Sequence, residues 1–116
     1  MPEKISAKTA PHYTWGTECD GWRLVQGEEL SVIQERMPPG TAEERHRHAV
    51  TRQFFYVLSG RLTIEADGGD HELLPGEGIE IAPGIAHQVH CPAEGEAAVF
   101  LVVSQPGNSR ADRTPA

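Results

Sequence analysis

The fold is decided by the stretch Gly40-Thr-Ala-Glu-Glu-Arg-His46-Arg-His48-Ala-Val-Thr-Arg-Gln53-Phe-Phe-Tyr-Val-Leu-Ser-Gly60. It places two histidines, one residue apart, at the entry of an aromatic and β-branched run that is typical of a strand. Because side chains alternate between the faces of a strand, His46 and His48 project to the same face. Two imidazoles on one face can bind a metal ion when a further ligand comes from elsewhere in the chain.

Length and composition favour a single all-β domain. The chain has 116 residues, of which 38% are hydrophobic, and this is enough for one core but not for two. Twelve glycines and nine prolines are spread along it, as expected for many short strands joined by turns. The formal net charge of −7 argues against nucleic-acid binding through a basic surface.

The sequence also predicts the compartment. Cys19 and Cys91 form neither a Cys-x-x-Cys motif nor a disulfide framework, so we expect two reduced thiols. Residues 1–10 are polar and do not resemble a signal peptide. No apolar stretch approaches the length needed to span a bilayer. We therefore expect a cytoplasmic protein without a membrane partner.

Turn residues divide the chain into about eight short strands, and this number in one small domain predicts a barrel or jelly roll. We expect a loose N-terminal arm over 1–12, a single barrel over 13–104 and a polar C-terminal tail over 105–116 without periodicity. The predicted strands are 22–25, 30–37, 52–58, 61–66, 71–74, 79–82, 86–91 and 97–104.

A third histidine follows a turn further along the chain. His87 comes directly after Ala82-Pro83-Gly84-Ile85-Ala86, at the start of a predicted strand. A lone histidine in such a place is more often structural than a ligand. The spacing of the glycines and histidines around it, however, defines two motifs. The first reads Gly40, five residues, His46-Arg-His48, four residues, Gln53, six residues, Gly60. The second reads Gly76, five residues, Ala82-Pro-Gly, two residues, His87, three residues, Cys91.

These motifs resemble the two motifs of the cupin superfamily, in the small single-domain, RmlC-like form. The resemblance implies a double-stranded β-helix, or jelly-roll barrel, and a divalent metal ion held inside it by His46, His48 and His87, with Gln53 as the expected fourth ligand. Imidazole nitrogens suit iron(II), manganese(II), nickel(II) and zinc alike, so the ligand type does not name the metal. His12, His71 and His90 have no motif support.

Gln53 stands where the cupin motif has a glutamate ligand. Its side-chain oxygen can still coordinate, but it brings no charge, so such a site should bind metal more weakly and act as a stronger Lewis acid. Alternatively, Gln53 points away and leaves three positions open. Two further departures are Ala82 for a proline, beside Pro83, and Cys91 for an asparagine.

Strand parity assigns the remaining candidates. Phe55 and Val57 share the parity of Gln53, and Val89 and Cys91 share that of His87, so we expect these four to line the pocket, although Cys91 also suits a small buried hydrophobe. The face of Glu35 is undecided, and a surface carboxylate is preferred to an acid–base role. Phe54, Tyr56 and Leu58 should form the outer face, through which cupin-like chains commonly pair into homodimers.

The resemblance implies a metal-dependent enzyme, dioxygenase-like, isomerase or lyase, that acts on a small oxygen-rich organic molecule. A non-catalytic small-molecule-binding or sensory domain is the alternative, although the chain carries no second domain to report to. A sugar isomerase or epimerase is a further alternative with less support, because no nucleotide or phosphate site is marked.

Overall fold

A computed structural model describes residues 2–116, which form eleven β-strands and no helix. The strands are β1 (His12–Trp15), β2 (Cys19–Gln26), β3 (Ser31–Met37), β4 (His46–His48), β5 (Arg52–Ser59), β6 (Leu62–Ala66), β7 (Gly69–Leu73), β8 (Gly78–Ile81), β9 (His87–His90), β10 (Ala98–Gln105) and β11 (Arg113–Pro115). The described part of the chain contains no helix that is long and apolar enough to cross a membrane.

Two antiparallel sheets form the molecule. A six-stranded sheet has the order β1-β2-β3-β10-β5-β8, and a five-stranded sheet has the order β11-β4-β9-β6-β7. Side chains along the strands alternate between the interior and the surface. The inward-facing set forms the core, in which Met37, Leu62, Ile64 and Phe100 are fully buried. The all-β jelly-roll prediction is confirmed.

The turn glycine Gly60 shows why the first motif must end on glycine. Its φ of +71° lies in the left-handed region, which residues with a Cβ rarely adopt. A Cβ at this position would also overlap the carbonyl oxygen of Ala97. The turn between β5 and β6 therefore accepts only glycine without rearrangement.

The histidine strand differs from the sequence expectation. His46 and His48 do not enter the same strand as the aromatic run, because residues 49–51 separate β4 from β5 and the two strands belong to different sheets. The expected common face is nevertheless observed, with both histidines buried and Arg47 exposed between them. The first motif thus spans the space between the two sheets.

Besides the separate β4, two further strands were not predicted, and both lie at sheet edges. β1 pairs with β2, and β11 pairs with β4 in the segment expected to be a tail without periodicity. β11 is three residues long and includes Pro115, so its sequence carries no strand signal. The division of the chain into arm, barrel and tail stays a prediction, but the tail contributes a strand to the five-stranded sheet.

Candidate metal centre and its cavity

Three buried histidines meet between the two sheets. β4 supplies His46 and His48, and β9 supplies His87, which pairs directly with His46 across the antiparallel ladder. Their exposed fractions are 4%, 4% and 1%, and one ring nitrogen of each lies within 4.8 Å of those of the other two. The cluster could therefore hold a metal ion.

Hydrogen bonds orient all three rings in the same sense. The Nδ1 atoms lie 2.9 Å from the Glu44 carbonyl oxygen, the Asp112 carboxylate and the Ile85 carbonyl oxygen, for His46, His48 and His87 respectively. Because these partners only accept, each Nδ1 carries the proton and donates it, which leaves the Nε2 lone pair free as a ligand. Nε2 of His87 is buried and has no hydrogen-bond partner.

Burial favours the neutral, metal-binding form of two of the rings, those of His46 and His87. Burial, against the opposing hydrogen bond to Glu44 and with a smaller contribution from the Arg113 guanidinium, lowers the pKa of His46 to about 4. Burial likewise lowers the pKa of His87. Nη2 of Arg113 also lies 3.3 Å from Nδ1 of His46. Because Nδ1 donates to the Glu44 carbonyl oxygen at the shorter distance of 2.9 Å and a guanidinium only donates, this approach of two donors is not a hydrogen bond.

Gln53 faces the same space from the opposite sheet. Its Nε2 donates to the Ser104 hydroxyl at 3.1 Å on the neighbouring strand β10, which orients the amide. Its Oε1 is buried and has no hydrogen-bond partner. Buried polar atoms are rarely left unpaired, so the free Oε1 and the free Nε2 of His87 are both suited to a metal ion. The donor set of the predicted site fits such an ion.

Asp112 was missed in the sequence and holds the site from the C-terminal side. Its carboxylate accepts hydrogen bonds from His48 Nδ1, from the backbone N–H groups of Val50 and Thr51, and from the Thr51 hydroxyl, at 2.7 to 3.1 Å. Partial burial opposes ionisation of the carboxyl, but the hydrogen bonds from these donors together outweigh it and lower the pKa of Asp112 to about 2. The ionised carboxylate fixes both the turn after β4 and the His48 ring.

A cavity of about 490 Å³ opens beside the histidines. It is large enough for a small organic molecule. Its walls combine both sheets and the C-terminal segment, which we define as residues 108–115. Its lining residues include His46, His48 and Gln53 from the metal site, Trp15, Ile33, Phe55 and Val102 from the apolar wall, Glu35 and Glu43, and Ser109, Arg110, Arg113 and Pro115 from the C-terminal segment.

Glu35 lies in this cavity, on the face that the sequence left undecided. Tyr13 donates its hydroxyl to Glu35 Oε2 at 3.2 Å. The two residues are on β1 and β3, and Gly21 on β2 lies in register between them. A Cβ at Gly21 would overlap the Tyr13 ring, so the glycine provides the space in which Tyr13 crosses β2. Glu35 therefore lies on the cavity wall and not on the outer surface as preferred from the sequence, whereas an acid–base role stays a prediction.

The environment of Glu35 suits a group that exchanges protons near neutral pH. Burial raises its pKa to about 7, although the Tyr13 hydroxyl and the Arg23 guanidinium both lower it. The Arg23 guanidinium carbon stacks 4.4 Å from the centre of the Tyr13 ring. Burial, and then the charge of Glu35, raise the pKa of Tyr13, so its hydroxyl remains a donor.

Glu43 is a second partly buried carboxyl on the cavity wall. Burial raises its pKa to about 8, and the charge of Glu35 adds to the shift. Its Oε1 lies 3.8 Å from Nδ1 of His46. A cavity that carries two carboxyls of raised pKa and the guanidiniums of Arg110 and Arg113 suits a substrate with acidic oxygens better than a cationic one.

The other sequence candidates lie as follows. Phe55 lines the cavity, whereas Val57, Val89 and Cys91 are buried in the hydrophobic core and are not among its lining residues. The thiol of Cys91 lies 3.7 Å from the Glu96 carbonyl oxygen, in agreement with its alternative role as a small buried side chain.

The fold and the cluster together define a double-stranded β-helix domain with three histidines that could hold a metal ion. The family model for the cupin domain matches residues 33–104, and the chain belongs to this family. No curated protein matches the chain at the level of sequence.

Solved structures share the whole fold at low sequence identity. KdgF from Halomonas sp. superposes with a TM-score of 0.84 and 14% identity, over 96% of this chain and 99% of that one. An RmlC-like cupin from Shewanella frigidimarina NCIMB 400 has a TM-score of 0.83 and 18% identity over 96% of both chains. A predicted oxalate decarboxylase from Thermotoga maritima has a TM-score of 0.81 and 16% identity, over 90% of this chain and 99% of that one. The resemblance to the cupin superfamily is confirmed by the family model, and the likenesses to solved structures show the fold alone.

Proposed function

We propose that the protein is a metal-dependent enzyme that moves a proton on a small, oxygen-rich organic acid. The observation that carries the proposal is that His46 and His48 of the histidine cluster line the same cavity of about 490 Å³ as the Glu35 carboxyl. A carboxyl of raised pKa beside a candidate metal site is a typical acid–base group. The name of the Thermotoga maritima neighbour, which refers to oxalate, supports a small acid as the substrate class.

His46, His48 and His87 would hold the ion, with Gln53 Oε1 as a fourth ligand. A divalent ion bound there would act as a Lewis acid on a chelated carbonyl or carboxylate oxygen. Iron(II), manganese(II), nickel(II) and zinc all suit these ligands. Three imidazoles and an amide leave the charge of the ion unbalanced, which favours an anionic substrate.

The residues of the cavity would orient the acid and exclude water. Arg110 and Arg113 supply cationic donors at the C-terminal wall, while Trp15 and Phe55 supply apolar surface. Glu35 Oε2 is engaged by Tyr13, and Oε1 remains to take a proton from the substrate and return it at a neighbouring atom. This arrangement supports an isomerase or lyase reaction over the dioxygenase-like reaction that the resemblance suggested.

Proton exchange measures the proposed step directly. The purified protein, loaded with zinc or manganese(II), is incubated in deuterated water with 2-oxo acids, diketones and aldose sugars, and exchange beside the carbonyl group is followed by proton NMR. Exchange by the wild type that is lost in Glu35→Gln and His48→Ala and kept in Glu94→Gln supports the proposal; Glu94 is exposed and lies outside the cavity.

Two other results would overturn it. Substrate-dependent oxygen uptake by the iron(II)-loaded protein that persists in Glu35→Gln would assign a dioxygenase-like reaction. Tight binding of a panel member with neither exchange nor oxygen uptake would assign a non-catalytic binding or sensory domain.

We also propose a homodimer formed through the outer face of β5. Phe54 and Leu58 are 40% and 43% exposed there, and the rings of Phe54 and Tyr56 stack at 6.2 Å. Exposed aromatic and aliphatic side chains on one sheet face are typical of an interface. Phe54→Ser should give a monomer in sedimentation analysis, while Ile5→Ser, exposed in the segment before β1, should leave the dimer intact; a wild-type monomer would contradict the proposal. The cytoplasmic location stays a prediction.

A further inference from the structure

We propose that Asp112 is the positioning residue for His48, and that metal binding is therefore coupled to docking of the C-terminal segment. The inference rests on the proposed metal site but not on the proposed reaction. It extends the site to a part of the chain that has no histidine and lies outside both motifs.

The contacts of Asp112 use both carboxylate oxygens. Oδ1 accepts from His48 Nδ1 at 2.9 Å and from the Thr51 hydroxyl at 3.1 Å. Oδ2 accepts from the backbone N–H groups of Val50 and Thr51 at 2.7 and 2.8 Å. All of these partners donate, so a carboxylate satisfies them and an amide of the same shape does not, since its NH₂ group cannot accept.

The bond to His48 decides which nitrogen of that ring is available. As long as Asp112 accepts from Nδ1–H, the lone pair of His48 lies on Nε2 and can serve a metal ion. A donor in place of Oδ1 would favour the opposite tautomer, in which Nε2 carries the proton. Asp112 thus acts on the metal through His48 and without touching it.

The C-terminal segment is attached by backbone pairing and by Asp112 rather than by the core. β11 pairs with β4 in a register that sets Arg113 opposite His48 and Pro115 opposite His46. The Ala49 N–H donates to the Asp112 carbonyl oxygen at 3.2 Å. The buried core cluster of residues 2–116 includes no member of the segment. A short edge strand attached in this way opens at low free energy compared with the core strands.

These features couple two equilibria. When the segment is docked, Asp112 holds His48 in the metal-binding tautomer, and Ser109, Arg110 and Arg113 complete the cavity wall. When the segment is open, the His48 ring has lost its only side-chain hydrogen bond in the described structure. If docking of the segment raises the metal affinity by a given factor, metal binding must raise the docking equilibrium constant by the same factor, because the linkage is reciprocal.

Two measurements on the full-length chain test the inference. The first is the zinc affinity of Asp112→Asn, determined by competition with a chelator, beside Asp70→Asn as a matched control on the exposed part of β7. Loss of a hydrogen-bonding partner behind a histidine ligand typically lowers metal affinity by about 10- to 100-fold. We expect a loss of this size in Asp112→Asn and none in Asp70→Asn.

The second measurement is hydrogen exchange of the wild-type backbone amides of residues 113, 114 and 116, with and without zinc, and it requires no variant; Pro115 has no amide hydrogen. Zinc should slow this exchange, whereas the amides of β7 should be unaffected. Unchanged exchange, or equal zinc affinity of a folded Asp112→Asn and the wild type, would overturn the inference. If the wild type binds no zinc, the proposed metal site fails instead.

Discussion

Replacing Tyr13 by phenylalanine removes one hydroxyl from the cavity and leaves the ring across Gly21. The lost contact is the 3.2 Å hydrogen bond to Glu35 Oε2, one of the two interactions that lower the pKa of this carboxyl against the effect of burial. A hydrogen bond to a charged group contributes about 1.5 to 3 kcal/mol. The protonated carboxyl retains part of this hydrogen-bond energy, so only the remainder favours the ionised form. Because one pKa unit corresponds to about 1.4 kcal/mol, the pKa of Glu35 should rise by about one unit.

The assay is a carbon-13 NMR titration of the glutamate carboxyl signals, with the Glu35 signal assigned by its absence in Glu35→Gln. The wild-type midpoint should lie near the value of about 7 and the Tyr13→Phe midpoint about one unit higher. Tyr56→Phe is the matched control, because Tyr56 lies on the outer face of β5 and does not line the cavity. A Tyr13→Phe midpoint that is unchanged or lower would refute the role assigned to the hydroxyl.

Three further predictions concern the ligand set, the buried carboxyl and the turn. Gln53→Glu should tighten zinc binding by about tenfold or more, because a charged oxygen replaces the free amide Oε1; equal affinity in a chelator competition would show that this oxygen does not face the ion. The folded-state pKa of Glu35, about 7, exceeds its ordinary 4.5, so the folded protein holds more protons between these values and the free energy of unfolding falls as pH rises through this window. Urea titrations at about pH 4 and about pH 8 measure this difference in the free energy of unfolding, and in Glu35→Gln the difference should be smaller than in the wild type by about 1 to 3 kcal/mol. The same pH dependence in the variant and the wild type would contradict the prediction. Gly60→Ala should lower the free energy of unfolding by about 2 kcal/mol or more, whereas Gly69→Ala, whose Cβ would meet no atom within 4 Å, should change it little; equal losses would contradict the turn argument.

The motif spacing anticipated the histidine cluster because glycine turns and strand parity act locally. His46 and His48 lie two residues apart in one strand, so their common face follows from the chain alone. The meeting with His87 depends on the pairing of β4 with β9, which is a long-range contact, and only the resemblance to a known family supplied it. The common face of His46 and His48 was therefore predictable from the sequence alone, whereas the addition of His87 to the cluster was not.

Glu35 and Asp112 could not be found in the same way. On β3 the apolar residues are divided between both faces, so parity alone did not say that Glu35 points inward. Its partner Tyr13 is recognisable only when β1, β2 and β3 are aligned and Gly21 is seen between them. Asp112 lies 64 residues from His48, in a polar segment whose strand is too short to leave a periodic pattern.

The central claim is that His46, His48 and His87 form a metal site, and elemental analysis of the protein purified without added metal tests it most directly. The wild type and His71→Ala should carry the same divalent metal, because His71 lies outside the cluster. His48→Ala should lose most of it while remaining folded by circular dichroism. Equal metal content in His48→Ala and the wild type, or a wild type that cannot be loaded with iron(II), manganese(II), nickel(II) or zinc, would contradict the account.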